Sequence, residues 1–216
     1  MKKCRCRFVF QYWPTQLLTA VSLFLYGCDG TSGVSTTVDR EVPSRNLALF
    51  DASPLPLVED GIILTSWNLQ WFPGYSKDAA DEITKDRHFK KVLKTLEGID
   101  PDILCLQEIK EPGALQRLTE ALPGHSLQVI SDFQGTLEIA IISKLRAEAA
   151  FMQPFQPGEA SDPPRGFAYT AFNIGGHMLA IYSVHLKSNY GGIDETAPKR
   201  EESARQLVAH AKEMAK

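Results

Sequence analysis

The chain has 216 residues, 44% of them hydrophobic and 23% charged, with a formal net charge of -3. That length suits a short leader and one domain with a real core. Setting aside Lys2, Lys3, Arg5 and Arg7 leaves 19 basic against 26 acidic residues, a net charge of -7. This excludes a global positive field for gripping polyanions. The four cysteines exclude a disulfide framework: Cys4 and Cys6 lie in the basic N-terminus, Cys28 follows an apolar run, and Cys105 falls in a predicted core strand. Cys105 reads as a small buried apolar residue.

Met1 to Arg7 is basic, Phe8 to Gly27 carries no charge, and Leu17 to Leu25 is strongly apolar. This is the layout of a secretory signal. The run ends Leu25-Tyr26-Gly27-Cys28, which resembles a bacterial lipobox, although Tyr26 departs from the small residue usual there. The resemblance implies a signal peptide over residues 1–27 and lipidation of Cys28. The product is then an exported lipoprotein, anchored on the periplasmic side or at the cell surface. An uncleaved N-terminal anchor is the alternative, since the run is just long enough to span a bilayer. Residues 28–60, rich in Gly, Ser, Thr and Pro, read as a flexible tether.

The domain opens with a buried strand, Gly61 to Trp67, ending at Asn68. Residues 75–80 read as loop. From Asp81 to Gly98, Phe89, Val92, Leu93 and Leu96 keep helical spacing, and Gly98 is the expected stop. Ile103 to Leu106 is a second buried strand that ends at Glu108. Ala114 to Leu122 is a short helix closed by Pro123-Gly124. Leu127 to Ile130 and Glu138 to Ser143 are strands. Phe151 to Gly166, rich in proline, reads as a long irregular loop. Phe167 to Ile174 and His177 to Val184 form a hairpin around Gly175-Gly176. Lys199 to Lys216 is a helix with Ala204, Leu207, Val208 and Ala211 on one face. Two strand–helix units followed by a run of strands predict an α/β sandwich with a mixed sheet.

Strand ends that deliver polar groups into loops are where α/β enzymes place their chemistry. The run Met178 to Tyr182 leads into Ser183-Val184-His185-Leu186-Lys187-Ser188-Asn189, and Gly191-Gly192 break the strand. His185 is a candidate acid, base or phosphoryl donor, or else a hydrogen-bonded core histidine. Glu108 is a candidate hard-cation ligand, or else a solvated strand-end acid. Asn68 orients Glu108 or touches a phosphoryl oxygen, or else forms a turn. Lys187, Asn189 and Arg165 are candidate phosphate binders, Arg165 bidentately, or else surface groups. No Walker-type loop, Gly-x-Ser-x-Gly, His-Glu-x-x-His or Cys-x-x-Cys occurs.

Taken together, Ser66-Trp67-Asn68, Leu106-Gln107-Glu108 and Val184-His185-Leu186-Lys187-Ser188 resemble the endonuclease/exonuclease/phosphatase superfamily. This is the group of DNase I, exonuclease III and sphingomyelinase. The likeness runs from Gly61 to Lys216. Pro164-Arg165-Gly166-Phe167 and Arg200 to Leu207 look like a bacterial secreted branch of it. The resemblance implies a four-layer α/β sandwich of the DNase I type. It implies a phosphodiesterase dependent on Mg²⁺, with Mn²⁺ as the alternative. Glu108 then binds the metal, Asn68 supports it, and His185 contacts the scissile phosphate. Nucleic acid is the expected substrate ahead of phospholipid. A lipid substrate would call for an exposed apolar loop; Gln70 to Pro73 or Phe151 to Phe155 are the candidates, or else are core.

The superfamily continues into a Gly-Asp-x-Asn strand and a Ser-Asp-His motif, and the sequence contains neither. The resemblance therefore implies that residues 61–216 are about the first half of such a domain and inactive alone. The competing function is a non-catalytic lipoprotein, a binding or scaffold module that retains a phosphate or metal pocket.

Overall fold

The computed structural model describes residues 6–10, 22–26, 61–133, 135, 137–159 and 161–215. Among them nine strands form two sheets. The first holds β1 (Cys6–Phe10), β3 (Ile62–Phe72), β4 (Ile103–Ile109), β6 (Glu138–Ser143) and β5 (Ser126–Ile130), in that order. The second holds β2 (Ser22–Tyr26), β9 (His177–Val184), β8 (Gly166–Ile174) and β7 (Ala149–Pro154). Helices α1 (Glu82–Ile99), α2 (Pro112–Ala121) and α3 (Ile193–Met214) complete the fold. The first sheet is mixed: β3 and β4 run parallel, whereas β6 is antiparallel to both β4 and β5.

Three apolar clusters define four layers. Trp67, Leu69, Leu104 and Leu106 pack one face of the first sheet on Val92 and Leu96 of α1 and Leu115 and Leu118 of α2. Ile62, Leu64, Ile103, Cys105, Ile139 and Ile141 meet Ala168, Phe172 and Ile181 between the sheets. Phe167, Tyr169, Tyr182 and Val184 carry the outer face of the second sheet onto Leu207 and Ala211 of α3. Period-two alternation in each strand explains why one strand feeds two clusters. The order is helix, sheet, sheet, helix, as the four-layer expectation has it.

The backbones of β1 and β2 add to the outer edges of β3 and β9. Both fall in the stretch read as a leader. The rest of that stretch and the tether, with Cys28, lie outside the described residues.

Four element boundaries differ from expectation, each for a local reason. Helix α1 runs through Gly98 and stops at Asp100, which takes a left-handed conformation (φ 50°) and donates its N–H to Leu96 O. Asp100 precedes Pro101, and a residue before proline is disfavoured in the helical region. Phe151 to Pro154 is strand, not loop, because Pro154 stands at the end of an edge strand, where no ladder donor is needed. Phe151 also stacks on Tyr169 with ring centroids 4.7 Å apart. Helix α3 begins at Ile193 and carries Pro198 inside its early turns, six residues ahead of the expected start at Lys199. Its buried face is Thr196, Ser203, Leu207 and Ala211, so Ala204 and Val208 point outward. Finally, β3 continues past Asn68 to Phe72 through an irregularity in its pairing with β4.

Candidate functional site

The inter-sheet layer changes character along its length. On β3 it passes from Ile62 and Leu64 to Ser66 and Asn68. On β4 it passes from Ile103 and Cys105 to Gln107. On β9 it passes from Ile181 to Ser183, and then to His185 just beyond the strand. An apolar core therefore ends in a polar floor and then in a cluster of amide, carboxylate and imidazole.

Glu108 reaches that cluster only because its strand is irregular. Strict alternation from Leu104 and Leu106 would aim it at the helices. Instead the pairing of β4 with β6 shifts between Gln107 and Ile109, and Glu108 adopts φ 62°. A bulge of this kind inserts one residue and re-aims it. Gln70 and Trp71 (both φ 54°) and Arg165 (φ 67°) share this left-handed backbone around the same cluster. Each costs about 1 kcal/mol or more for a non-glycine residue, and such strain concentrates at functional sites.

The carboxylate of Glu108 is buried and held at both oxygens. Asn68 Nδ2 donates to Oε1 at 2.7 Å, and the Trp71 backbone N–H donates to Oε2 at 3.2 Å. Gln70 N–H donates to Asn68 Oδ1 at 2.9 Å, which fixes the orientation of the Asn68 amide. His185 Nε2 lies 3.4 Å from Glu108 Oε1. The distance suits an ion pair, but burial, reinforced by the positive charge of Arg165, pushes the imidazole down to about 3. At neutral pH the ring is therefore uncharged. A lone pair facing a carboxylate would be repelled, so the arrangement favours the tautomer with the proton on Nε2, its N–H turned toward Glu108. Nδ1 is then a bare acceptor, buried and without a hydrogen-bond partner among the described residues.

Arg165 closes the cluster from the second sheet. Its Nη1 donates to His185 O at 3.1 Å. Burial lowers its pKa, while Glu108 and Glu138 act in the opposite sense. Arg165 is thus a half-buried cation facing two carboxyl groups. Gly166 makes this possible: a Cβ there would lie 2.0 Å from Gln153 O and 2.6 Å from Pro154 Cα.

The other expected residues are placed differently. Lys187 turns its ammonium back on its own loop, donating to Tyr190 O at 2.8 Å and Ser188 O at 3.2 Å. Asn189 is exposed, and its carbonyl accepts from Gly192 N–H at 3.0 Å. Neither loop proposed for lipid is an exposed apolar loop. Phe72, Pro73 and Phe155 are buried, because those segments pack into the helix-facing clusters. In the chain that follows His185, the large exposed side chains are Tyr190 and, at the start of α3, Ile193.

Two residues of the region were not anticipated. Glu138 opens β6 opposite Ile109, one place beyond the Glu108 bulge. Ser131 Oγ donates to its Oε2 at 2.5 Å, and burial raises its carboxyl above the usual range against the opposing pull of that hydrogen bond and Arg165. An acid opening an otherwise apolar strand was the available signal. Gln107 is the second: a fully buried amide in an apolar run.

Mg²⁺ takes oxygen donors and commonly only one or two protein carboxylates. Glu108 offers one carboxylate; Oε1 faces both Asn68 and His185, while Oε2 accepts only the Trp71 N–H and keeps acceptor capacity. The residues fit a cation that draws its other ligands from water and a phosphate. Among the described residues no three His, Cys, Asp or Glu side chains gather into a metal cluster.

No curated protein matches the chain. The model of the Endonuclease/Exonuclease/phosphatase family matches residues 65–210, a span that contains Asn68, Glu108, Arg165 and His185. The chain therefore belongs to the endonuclease/exonuclease/phosphatase family.

Proposed function

We propose that the chain carries the site of a Mg²⁺-dependent phosphodiesterase, with Mn²⁺ as a substitute, acting on nucleic acid ahead of phospholipid. The observation that supports it is the buried Glu108 carboxylate, held by Asn68 and Trp71 beside a neutral His185. Glu108 would hold the cation, which when bound neutralises charge on phosphoryl oxygens. Arg165 is the group to pair with a non-bridging oxygen. Neutral His185 orients Glu108 and presents an N–H donor at the same point. The preference for nucleic acid rests on the Val-His-Leu-Lys-Ser-Asn stretch and on the burial of both candidate lipid loops.

The test is hydrolysis of bis(4-nitrophenyl) phosphate and of DNA by the full chain, with and without Mg²⁺; turnover by the wild-type chain would overturn the expectation that residues 61–216 are inactive alone. Glu108→Gln keeps the volume and removes the charge. It is expected to lower turnover at least about 100-fold, the scale of losing one preorganised electrostatic group. A second reading is a non-catalytic binding module that retains the phosphate or metal pocket. Phosphate or Mg²⁺ binding without any turnover by wild-type protein would select it.

We further propose export, with residues 1–27 as signal and Cys28 as a lipid anchor. The basic start and uncharged apolar run support this. Among the described residues no helix is long and apolar enough to cross a membrane. The mass of the chain recovered from a bacterial membrane decides it. Loss of residues 1–27 with added acyl mass is expected; the intact mass in that fraction would mean an uncleaved N-terminal anchor.

A further inference from the structure

Asn68, Glu108 and His185 come from three strands. β3 and β4 are bonded to one another, but β9 belongs to the other sheet and shares no ladder with either. Apolar packing between two sheets is non-directional. It holds the sheets together without fixing how far one slides over the other. Yet the 3.4 Å approach of His185 to Glu108 depends on that offset.

One layer inward stands a polar set that supplies direction. Gln107 Nε2 donates to Ser183 Oγ at 3.1 Å across the two sheets, and more weakly to Ser66 Oγ at 3.4 Å within the first. Ser66 lies two residues before Asn68, Ser183 two before His185, and Gln107 one before the bulged Glu108. Residues two apart share a face of a strand. Each member of the inner set therefore stands beneath one member of the outer set.

This arrangement is a poor way to gain stability. Gln107 and Ser183 are fully buried, and Gln107 Oε1 has no hydrogen-bond partner. Turning the amide over would only strand the nitrogen instead. An unsatisfied buried polar atom costs free energy, while an apolar side chain of similar shape is neutral or better. Ile139, directly opposite Gln107 in the pairing of β4 with β6, shows that apolar residues fit this layer.

We propose that Ser66, Gln107 and Ser183 form a clasp between the two sheets, with Gln107 as a positioning residue. It sets the height of β9 against β3 and β4, so that His185 Nε2 meets Glu108 Oε1. The clasp touches neither substrate nor cation. Its value to chemistry rests on the reading of Glu108 and His185 given above; its existence does not.

The test uses the full chain labelled with ¹⁵N-histidine and two variants, Gln107→Met and Ser183→Ala. The first readout is metal-free: the His185 ring nitrogens, assigned by their loss in His185→Gln, which in wild-type protein should report one tautomer with the proton on Nε2. Both variants are expected to stay folded, with Gln107→Met at least as stable as wild type, and to lose the single-tautomer signal. The double variant should lose no more than either single one, because the two residues act through one contact. The second readout is Mg²⁺ titration, in which each variant should bind about 10-fold more weakly, the usual scale for residues that orient a ligand. An unchanged His185 signal in folded Gln107→Met overturns the clasp. So does a loss of stability in both variants without a change in that signal. If wild-type protein binds no Mg²⁺, the phosphodiesterase reading fails and the histidine signal still decides the clasp.

Discussion

His88 and His185 are both buried, 3% and 4% exposed, and in both burial is the main force holding the imidazole down, to about 4 and about 3. Their surroundings differ. His88 accepts the Gly74 N–H on Nδ1 at 3.0 Å, and the Leu69 carbonyl takes its remaining hydrogen. Its ring stacks on Tyr75 at 3.5 Å and meets Phe72 edge-on at 5.2 Å. Both nitrogens are used, and two aromatic rings pack on the imidazole. His185 has one nitrogen against a carboxylate and the other without a partner. Burial alone does not separate a structural histidine from a functional one. The accounting of its two nitrogens does, because an unpaired buried acceptor destabilises the fold that keeps it.

The backbone repeats the contrast. Around His88 the chain is a regular helix whose Asp81 cap accepts Thr84 N–H at 2.7 Å. Around His185 the neighbouring segments hold Gln70, Trp71, Glu108 and Arg165 in the left-handed region. His88 itself sits in that regular helix, although Gly74 (φ 124°) and Tyr75 (φ 65°), which contact its ring, also lie at positive φ. His185 sits where several local preferences are overridden.

Four experiments would break or sharpen this contrast. Among the substitutions the largest effect is expected at Gly166→Ala, where the new Cβ also meets Phe133 Cζ at 2.7 Å. Displacing Arg165 and the end of β7 should destabilise the chain by about 3 kcal/mol, read by urea unfolding. Next comes His88→Ala, which strands the Gly74 N–H and empties an aromatic pocket; a loss of about 2 to 3 kcal/mol is expected by the same measurement.

The third effect is the pH dependence. A histidine whose folded pKa lies below its unfolded value binds fewer protons when native. Stability is then full above about pH 6.5 and falls as the pH drops toward the folded value. The two rings together should give a slope approaching about 2.7 kcal/mol per pH unit between pH 6 and 4, at 1.36 kcal/mol for each ring. His88→Gln should halve it. A slope unchanged in that variant would mean that His88 is already protonated in the fold. The smallest effect is expected at Lys187→Ala, which releases a loop ammonium from two carbonyls. It should cost under about 1 kcal/mol, with faster amide exchange confined to residues 188–192.

Much of the fold was readable because apolar runs end abruptly. Ile103 to Leu106 breaks at Gln107-Glu108, and Met178 to Val184 breaks at His185, so both site strands and their polar ends declare themselves. Gly175-Gly176 marked the hairpin for the same reason. What could not be read depends on distant partners. Nothing local in Leu106-Gln107-Glu108 says that Glu108 bulges off its alternation, or that Gln107 meets Ser183, 76 residues away. Arg165 reads as a phosphate binder or else a surface residue, and its half-burial follows only once Gly166 brings its backbone against Gln153 and Pro154. Lys187 reads as a phosphate binder until its loop folds beneath it. Proline misled twice: Pro154 ends an edge strand and Pro198 sits inside a helix, positions where a missing N–H is tolerated or offset by neighbours.

The most direct measurement sets His185→Gln beside His88→Gln in the full chain, with Mg²⁺-dependent phosphodiester turnover per folded molecule and melting temperature recorded for each. His185→Gln is expected to melt within about 4 °C of wild type, a shift near 1 kcal/mol for a chain of this size, and to lose about 100-fold or more in turnover. His88→Gln is expected to melt well below wild type while its folded fraction turns over normally. The reverse pattern, or equal losses of turnover in both, would contradict the assignment of His185 to chemistry and His88 to structure.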